Sequence, residues 1–156
     1  MILALCSPEE AIKPVQSVTF PVDKDILEQM WKILEVNNGI GLAAPQVGYY
    51  QAFFIYKLGN ERRVVCNPHI TLRQASHNRR FAIGREGCLT LPGAHYCVAR
   101  WVKIRMDAQD ENGSHWFGFY NDLGARLMQH EVDHLKGFLI DGTNREKKEK
   151  DLASGI

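Results

Sequence analysis

The sequence predicts a single α+β domain, residues 1–156, in which β-strands form a shell around a helix. Two segments carry apolar residues at helical spacing, and the runs between them are short and rich in β-branched and aromatic residues. No linker or internal repeat divides the chain. With 156 residues, of which 45% are hydrophobic and 24% charged, the chain has the size and composition of one globular domain.

The first predicted helix starts after a capping carboxylate at Asp23 or Asp25 and stops at the turn-forming run 37–39. Its apolar positions recur every three or four residues: Ile26, Leu27, Met30, Ile33 and Leu34. The sequence therefore predicts one amphipathic helix near the N-terminus.

Strands are predicted where short runs of β-branched and aromatic residues lie between turn-forming residues. These runs cover residues 52–56, 63–66, 69–72, 96–102, 102–108 and 115–120. A turn at 111–114 joins the last two of them.

The second predicted helix runs from a cap at Asn121 to Leu135, and Gly137 is well placed to end it. One stripe of this helix combines apolar and chemically active groups: Leu123, Leu127, His130, Glu131 and His134. Because both kinds of group share a face, we expect the helix to lie at the centre of the β-rich shell. The charged tail 144–156 is expected to be solvated or loosely helical.

Composition argues against several functional classes. The formal net charge is +1 and no basic patch dominates, which argues against a nucleic-acid binder. No apolar run approaches the 18 residues of a membrane span, and the N-terminus lacks the basic region of a signal or transit peptide. We therefore expect a cytoplasmic protein and, without an evident interface stripe, a monomer.

The most informative motif is the run His130-Glu131-Val132-Asp133-His134. Residues i and i+4 of a helix lie on the same face one turn apart, so both imidazoles can bind one metal ion. Glu131 lies beside them and can reach a water on that metal without being a ligand. This is the HExxH arrangement of metal-dependent hydrolases. Two helix histidines satisfied in the core or at the surface are the alternative interpretation.

A catalytic site of this kind usually has three protein ligands and one open position. No histidine follows His134, and Glu146 and Glu149 lie in the charged tail. Cys88 lies among small residues and is the predicted third ligand, because a thiolate suits Fe²⁺, Zn²⁺, Co²⁺ or Ni²⁺. A plain structural cysteine is one alternative. A structural metal site, closed by a fourth ligand such as Cys97, is another.

The glycine-rich stretch 39–48 is the remaining informative segment. On its own it predicts a tightly packed loop after the first helix. Its small residues would also let a peptide backbone pair alongside as an added strand. Gln46 within it offers an amide donor for a developing oxyanion.

Three segments of the chain, in this order, resemble the motifs of peptide deformylases. Residues 39–46 (GIGLAAPQ) are similar to that family's GxGLAAxQ motif, 86–90 (EGCLT) to EGCLS, and 130–135 (HEVDHL) to HExDHL. The resemblance covers most of the chain, from residue 22 to about 140. It implies antiparallel β-sheets packed around a central helix that carries the HExxH motif, plus an N-terminal helix.

The resemblance also implies a reaction: metal-dependent removal of the N-formyl group from the N-terminal formylmethionine of newly synthesised polypeptides, with release of formate. Cys88, His130 and His134 would hold one divalent ion, Fe²⁺ in the cell, with Zn²⁺, Ni²⁺ or Co²⁺ as substitutes. A catalytically silent or structural metal-binding relative that only binds formylated N-termini is the alternative function.

Catalytic roles follow from the same resemblance. Glu131 would accept the proton of the attacking water and pass it to the departing amine. The amide of Gln46 and the backbone N–H of Leu89 would stabilise the oxyanion together with the metal.

The methionine side chain needs an apolar slot, and the substrate backbone needs small residues beside it. By their positions in the motifs, the substrate-binding residues are expected to be Ile40, Gly41, Gly87, Leu123 and Leu127, with the ring of His130 as a further wall.

Some positions call for separate expectations. Thr90 stands where the family most often has serine, and the retained hydroxyl predicts little effect on the metal. Arg100 is expected either to be solvated or to touch the substrate peptide, and Asp133 to be a structural acceptor for a neighbouring backbone or basic group.

The chain after Gly137 is shorter than in typical bacterial members and resembles phage-type forms, which argues against ribosome docking.

Overall fold

The computed structural model describes residues 1–72 and 80–153, so the last three residues of the predicted tail lie outside it. The helices are α1 (Pro8–Ala11), α2 (Lys24–Val36), α3 (Asp122–Leu135) and α4 (Arg145–Ala153), with a 3₁₀ helix at Ala44–Val47. The strands are β1 (Gly41–Ala43), β2 (Phe53–Leu58), β3 (Glu61–Leu72), β4 (Phe81–Cys88), β5 (Leu91–Trp101), β6 (Lys103–Gln109) and β7 (His115–Asn121).

The two predicted helices are confirmed as α2 and α3. α2 starts after Asp23, whose carboxylate accepts a hydrogen bond from the backbone N–H of Asp25. It ends before Asn38, which has a φ of 51°, a left-handed conformation that asparagine tolerates. α3 follows Asn121, and Gly137, just beyond its end, has a φ of 78°.

The described strands form two antiparallel sheets, one in the order β1-β2-β3-β6-β7 and one that pairs β4 with β5. The predicted strands 63–66 and 69–72 are parts of one strand, β3, because the chain only bulges between Cys66 and His69. β4 is not among the predicted strands. Its sequence, FAIGREGC, contains two glycines and two charged residues, which disfavour a strand.

The larger sheet lies between the two long helices. Along β2 the side chains alternate, so that Phe53 and Ile55 pack with α2 whereas Phe54 and Tyr56 pack with α3. All four side chains are fully buried. The buried apolar residues of the helices complete the two cores: Ile26, Met30 and Leu34 from α2, and Ala125, Leu127, Met128 and Val132 from α3. The predicted α+β fold, with antiparallel sheets around a central helix, is confirmed.

The small sheet is attached to the rest of the molecule differently. Of the residues in β4 and β5, the buried ones are Glu86 and Arg100, and both are charged. Polar contacts rather than a large apolar core therefore hold this sheet against α3.

α4 covers most of the predicted tail and consists mainly of charged residues. Its Lys148 Nζ lies 2.6 Å from Oδ2 of Asp133 and so ties this helix to α3. No helix among the residues 1–72 and 80–153 is long and apolar enough to cross a membrane.

Candidate metal centre

α3 brings the two motif histidines together, as the i, i+4 spacing predicts. Their Nε2 atoms are 3.2 Å apart, and the Sγ of Cys88 lies 3.3 Å from Nε2 of His134. One ligand atom from each of Cys88, His130 and His134 lies within 4.8 Å of the others. Two imidazole nitrogens and a thiolate form a donor set that suits a first-row divalent metal.

The small sheet positions Cys88. It is the last residue of β4, and the pairing with β5 shifts register between Gly87 and Cys88. Such a bulge changes the direction of the following side chain. Cys97 is exposed on β5 and is not part of the group, so the fourth ligand suggested for a structural site is wrong.

Glu131 follows His130 on α3, lines the same cavity as Cys88 and His130, and is only 2% exposed. Its Oε2 has no hydrogen-bond partner among the described residues. Burial raises the pKa of this carboxyl to about 7. A buried carboxylate oxygen without a partner is costly, and its position here fits a group that receives a proton from a bound water or substrate.

Gly41 in β1 makes room for this carboxylate. A Cβ at position 41 would overlap Oε1 of Glu131 and lie 2.8 Å from Cδ1 of Leu127. The glycine-rich stretch therefore does more than form the packed loop that it predicts on its own, because its backbone passes close to Glu131 and Leu127 of α3.

Gln46, in the 3₁₀ helix, is fixed at both ends of its amide. Its Oε1 accepts a hydrogen bond of 2.9 Å from the backbone N–H of Ala43. Its Nε2 donates to Oγ1 of Thr90 at 2.9 Å and to Sγ of Cys88 at 3.6 Å. The Thr90 contact thus holds the amide so that it also faces Cys88, one of the predicted metal ligands. The role of the Thr90 hydroxyl in orienting Gln46 was missed in the sequence, where the hydroxyl was considered only for its effect on the metal.

Glu86 supports the site from the small sheet. Its Oε1 lies 2.8 Å from Nδ1 of His130, so that this imidazole donates through Nδ1 and directs Nε2 towards Cys88 and His134. Burial opposes ionisation of Glu86, but hydrogen bonds from His130 and Arg100 hold the pKa of its carboxyl well below its usual range.

The two histidines differ electrostatically. Burial disfavours a charged imidazole at His130, but hydrogen bonds with Cys88 and Glu86 raise its pKa to about 10. Burial and the neighbouring His130 lower the pKa of His134 well below its ordinary value. The acceptors around His130 thus favour positive charge at the site, and a divalent cation can replace the proton there.

The expectation that Arg100 is solvated or touches substrate is wrong. Arg100 is 4% exposed and donates to both oxygens of Glu86, at 3.0 and 2.9 Å, and to Oδ2 of Asp133 at 2.5 Å. A strand pattern does not reveal this burial, because the partners come from a different strand and from α3. Asp133 is the structural acceptor for basic groups that the sequence predicts, and it accepts from both Arg100 and Lys148.

A cavity of about 370 Å³ opens beside these groups. The predicted site residues in its wall are Ile40, Gly41, Gln46, Gly87, Cys88, Leu89, Leu123, Leu127, His130 and Glu131. His134 lies deeper and is almost fully buried. Wall residues to which the sequence assigned no role in the site are Asn37, Asn38, Gly39, Arg85, Glu86 and Arg126. Of these, Gly39 and Glu86 belong to recognised motifs, whereas nothing in the sequence around Arg126 marks it.

The model of the family described as polypeptide deformylase matches residues 8–149. The chain belongs to the peptide deformylase family.

Individual deformylases agree with this assignment in sequence and in structure. The chain is 39% identical over 119 residues to peptide deformylase 1 of Clostridium perfringens, covering 75% of this chain and 78% of that protein. It is 35% identical over 131 residues to the peptide deformylase of Borreliella burgdorferi, covering 83% of this chain and 77% of that protein.

Two crystal structures show the same fold. The peptide deformylase of Thermotoga maritima has a TM-score of 0.79 at 30% identity, over 90% of this chain and 96% of that one. A probable peptide deformylase of Synechococcus phage S-SSM7 has a TM-score of 0.77 at 28% identity, over 89% and 97% of the two chains. As a peptide deformylase, the chain is a metal-dependent hydrolase of the N-formyl group of formylmethionyl peptides.

Proposed function

We propose that Cys88, His130 and His134 hold the metal of this deformylase and that Glu131 is its proton-transfer group. The observation that carries this proposal is the buried Oε2 of Glu131, which has no partner among the described residues and belongs to a side chain that lines the same cavity as Cys88 and His130. A closed structural site has no use for such a carboxylate.

Cys88, His130 and His134 would hold a divalent ion, which would lower the pKa of a bound water from about 15.7 to about 7 and so supply a nucleophile at neutral pH. Glu131 accepts the proton of the attacking water and returns it to the amine that leaves. The Gln46 amide, already directed at the site, and the backbone N–H of Leu89 donate to the oxyanion. One such donor is typically worth about 10²–10³-fold in rate.

Ile40, Leu123 and Leu127 form the apolar wall for the methionine side chain, and Gly41 and Gly87 leave space for the substrate backbone. This assignment is supported by the cavity, which all five residues line. Leu123 and Ile40 are exposed at 56% and 45%, which suits walls that a ligand covers.

For the native metal we propose Fe²⁺, with Zn²⁺, Ni²⁺ or Co²⁺ as substitutes. A thiolate beside two imidazoles accepts all four ions, and a ferrous site with a cysteine ligand is sensitive to oxygen. The iron-loaded protein should lose formate release in air within the time that the nickel-loaded protein keeps it. Equal persistence of the two forms would contradict the expected oxidation.

We also propose that the enzyme acts as a cytoplasmic monomer on nascent formylmethionyl peptides, without bound nucleic acid. All of the site groups come from one chain, and the net charge of +1 gives no attraction to nucleic acid.

The proposed roles are tested by formate release from formyl-Met-Ala-Ser, with acetyl-Met-Ala-Ser as the control substrate, using nickel-loaded protein. Glu131→Gln should keep the metal and lower the rate by about 10²–10⁴-fold, because it removes general acid–base catalysis. Glu28→Gln, on the exposed face of α2, is the matched control and should leave the rate unchanged.

Full activity of Glu131→Gln would refute the role of Glu131. Binding of the formyl peptide to the metal-loaded protein without any release of formate would instead favour the silent relative that only binds formylated N-termini.

A further inference from the structure

Arg126 is a cavity residue that the reaction described above does not use. It lies one helical turn before His130 on α3 and lines the same cavity as Leu123 and Leu127. Arg126 and His130 bind opposite oxygens of one carboxylate, that of Glu86. A permanently charged guanidinium, paired with Glu86, therefore lies in the cavity wall close to the apolar Leu123 and Leu127.

The guanidinium of Arg126 is held firmly. Its NH1 donates to Oε2 of Glu86 at 2.5 Å and to the carbonyl of Val98 at 2.8 Å, and its NH2 donates to the carbonyl of Ala82 at 2.7 Å. These contacts come from both strands of the small sheet, so the side chain has little freedom to leave the cavity wall.

Gly84 provides the space for this arrangement. A Cβ at position 84 would lie 2.8 Å from Cζ, 2.9 Å from NH2 and 3.0 Å from Nε of Arg126. Such distances are too short for ordinary contacts, so even alanine at this position would displace the guanidinium.

Arg126 has donors to spare. A guanidinium carries five N–H groups, and the contacts with Glu86, Val98 and Ala82 use three of them. The Nε–H and one NH2 hydrogen have no acceptor among residues 1–72 and 80–153. A ligand side chain that brings an acceptor to this wall gains a charge-assisted hydrogen bond. A hydrocarbon side chain instead displaces water from the guanidinium and offers no hydrogen bond in its place, which costs free energy.

We propose that Arg126 determines which first residue the cavity accepts, by favouring a side chain that places a hydrogen-bond acceptor against its guanidinium. This inference rests on the proposed function, which places that side chain between Leu123 and Leu127. The thioether of methionine is a weak acceptor, and norleucine replaces its sulfur by a methylene of nearly the same size. The wild-type enzyme therefore prefers formylmethionine to formylnorleucine, and this preference depends on Arg126.

The test compares kcat/KM for formyl-Met-Ala-Ser and formyl-Nle-Ala-Ser. In Arg126→Met the Met-to-Nle ratio should fall about two- to tenfold relative to wild type, the range expected for one hydrogen bond. Arg126→Lys keeps a cation without the planar fork and should keep part of the ratio. Gly84→Ala changes no charge, but it should lower the ratio because it displaces the guanidinium.

A purely structural role for Arg126 predicts a different result, since loosening the small sheet would lower kcat/KM for both peptides by the same factor. An unchanged ratio in both Arg126→Met and Gly84→Ala would overturn the proposal. If Arg126→Met does not fold, Gly84→Ala alone decides.

A binding measurement separates this inference from the catalytic proposal. In the Glu131→Gln background, calorimetry should give tighter binding of formyl-Met-Ala-Ser than of formyl-Nle-Ala-Ser, and adding Arg126→Met should remove the difference. If wild-type protein with bound metal releases no formate from either peptide, the proposed function fails, whereas the binding preference still tests Arg126. Equal binding of the two peptides with Arg126 present would contradict the inference.

Discussion

The hydroxyl of Thr90 accepts a hydrogen bond of 2.9 Å from the Gln46 amide, which would otherwise rely on the weaker sulfur acceptor of Cys88. Both side chains are buried, so no solvent replaces this contact. The orientation of Gln46, the proposed oxyanion donor, therefore depends on one hydroxyl at position 90, which either threonine or serine supplies.

Thr90→Val is expected to lower kcat for formyl-Met-Ala-Ser about tenfold, because it preserves shape but removes the acceptor that orients Gln46. The loss should not exceed the 10²–10³-fold that removal of an oxyanion donor typically costs. Metal content should not change. Thr90→Ser is the matched control and should keep wild-type activity. A serine variant as impaired as the valine variant would show that the methyl group, not the hydroxyl, matters.

At the scale of elements, β1 and α3 approach each other so closely that position 41 has no room for a side chain. Gly41→Ala should lower kcat/KM at least tenfold and also destabilise the fold, because the new methyl group overlaps Glu131 and Leu127. Activity and urea unfolding of the variant measure both effects.

The matched control for this variant is Gly124→Ala in α3, where a Cβ makes only ordinary contacts of 3.4 Å with Leu58 and Tyr120. It should raise the free energy of unfolding by about 0.5–1 kcal/mol, since alanine loses less backbone entropy in a helix than glycine does. An active, stable Gly41→Ala variant would show that β1 moves away from α3 at little cost.

Local patterns were sufficient to predict some of these elements and not others. α2 and α3 follow from apolar periodicity and caps, and the spacing of His130 and His134 fixes their common face on α3. Cys88 was predicted as the third ligand, but the strand that carries it, β4, was not predicted because its glycines and charged residues disfavour a strand. The partners of Arg100 and Arg126 could not be predicted, because they depend on how the small sheet packs against α3.

At the scale of the whole molecule, buried ionisable groups in the core are expected to make the fold less stable at alkaline pH. Burial raises the pKa of the Cys66 thiol to about 12 from an ordinary value of 9.0. Burial also raises the pKa of Tyr56 above its ordinary value of 10.0. Above pH 9 the unfolded chain therefore releases the Cys66 proton, whereas the folded chain keeps it. The unfolded state is stabilised, and folding becomes less favourable as pH rises.

The free energy of unfolding should fall with a slope approaching about 1.4 kcal/mol per pH unit above pH 9 from Cys66 alone, and more steeply above pH 10, where Tyr56 contributes. Urea unfolding at pH 8, 9, 10 and 11 measures this slope. Cys66→Ala should be less stable at pH 8 but show a shallower decline, whereas Cys97→Ala, at an exposed thiol, should decline as wild type does. Parallel declines in all three proteins would contradict the assignment to Cys66.

The carboxylate of Glu86 accepts from His130, Arg100 and Arg126 within a mostly buried network, and this limits how the sequence can evolve. Loss of Glu86 would leave the guanidinium of Arg126 without a carboxylate partner among the described residues, and breaking a buried ion pair in this way typically costs about 3–5 kcal/mol, a large part of a domain's stability. Glu86 can therefore be exchanged only together with substitutions of its basic partners. Substitutions that change substrate preference should instead occur first at exposed apolar positions of the cavity such as Ile40 and Leu123, because a single change there breaks no ion pair.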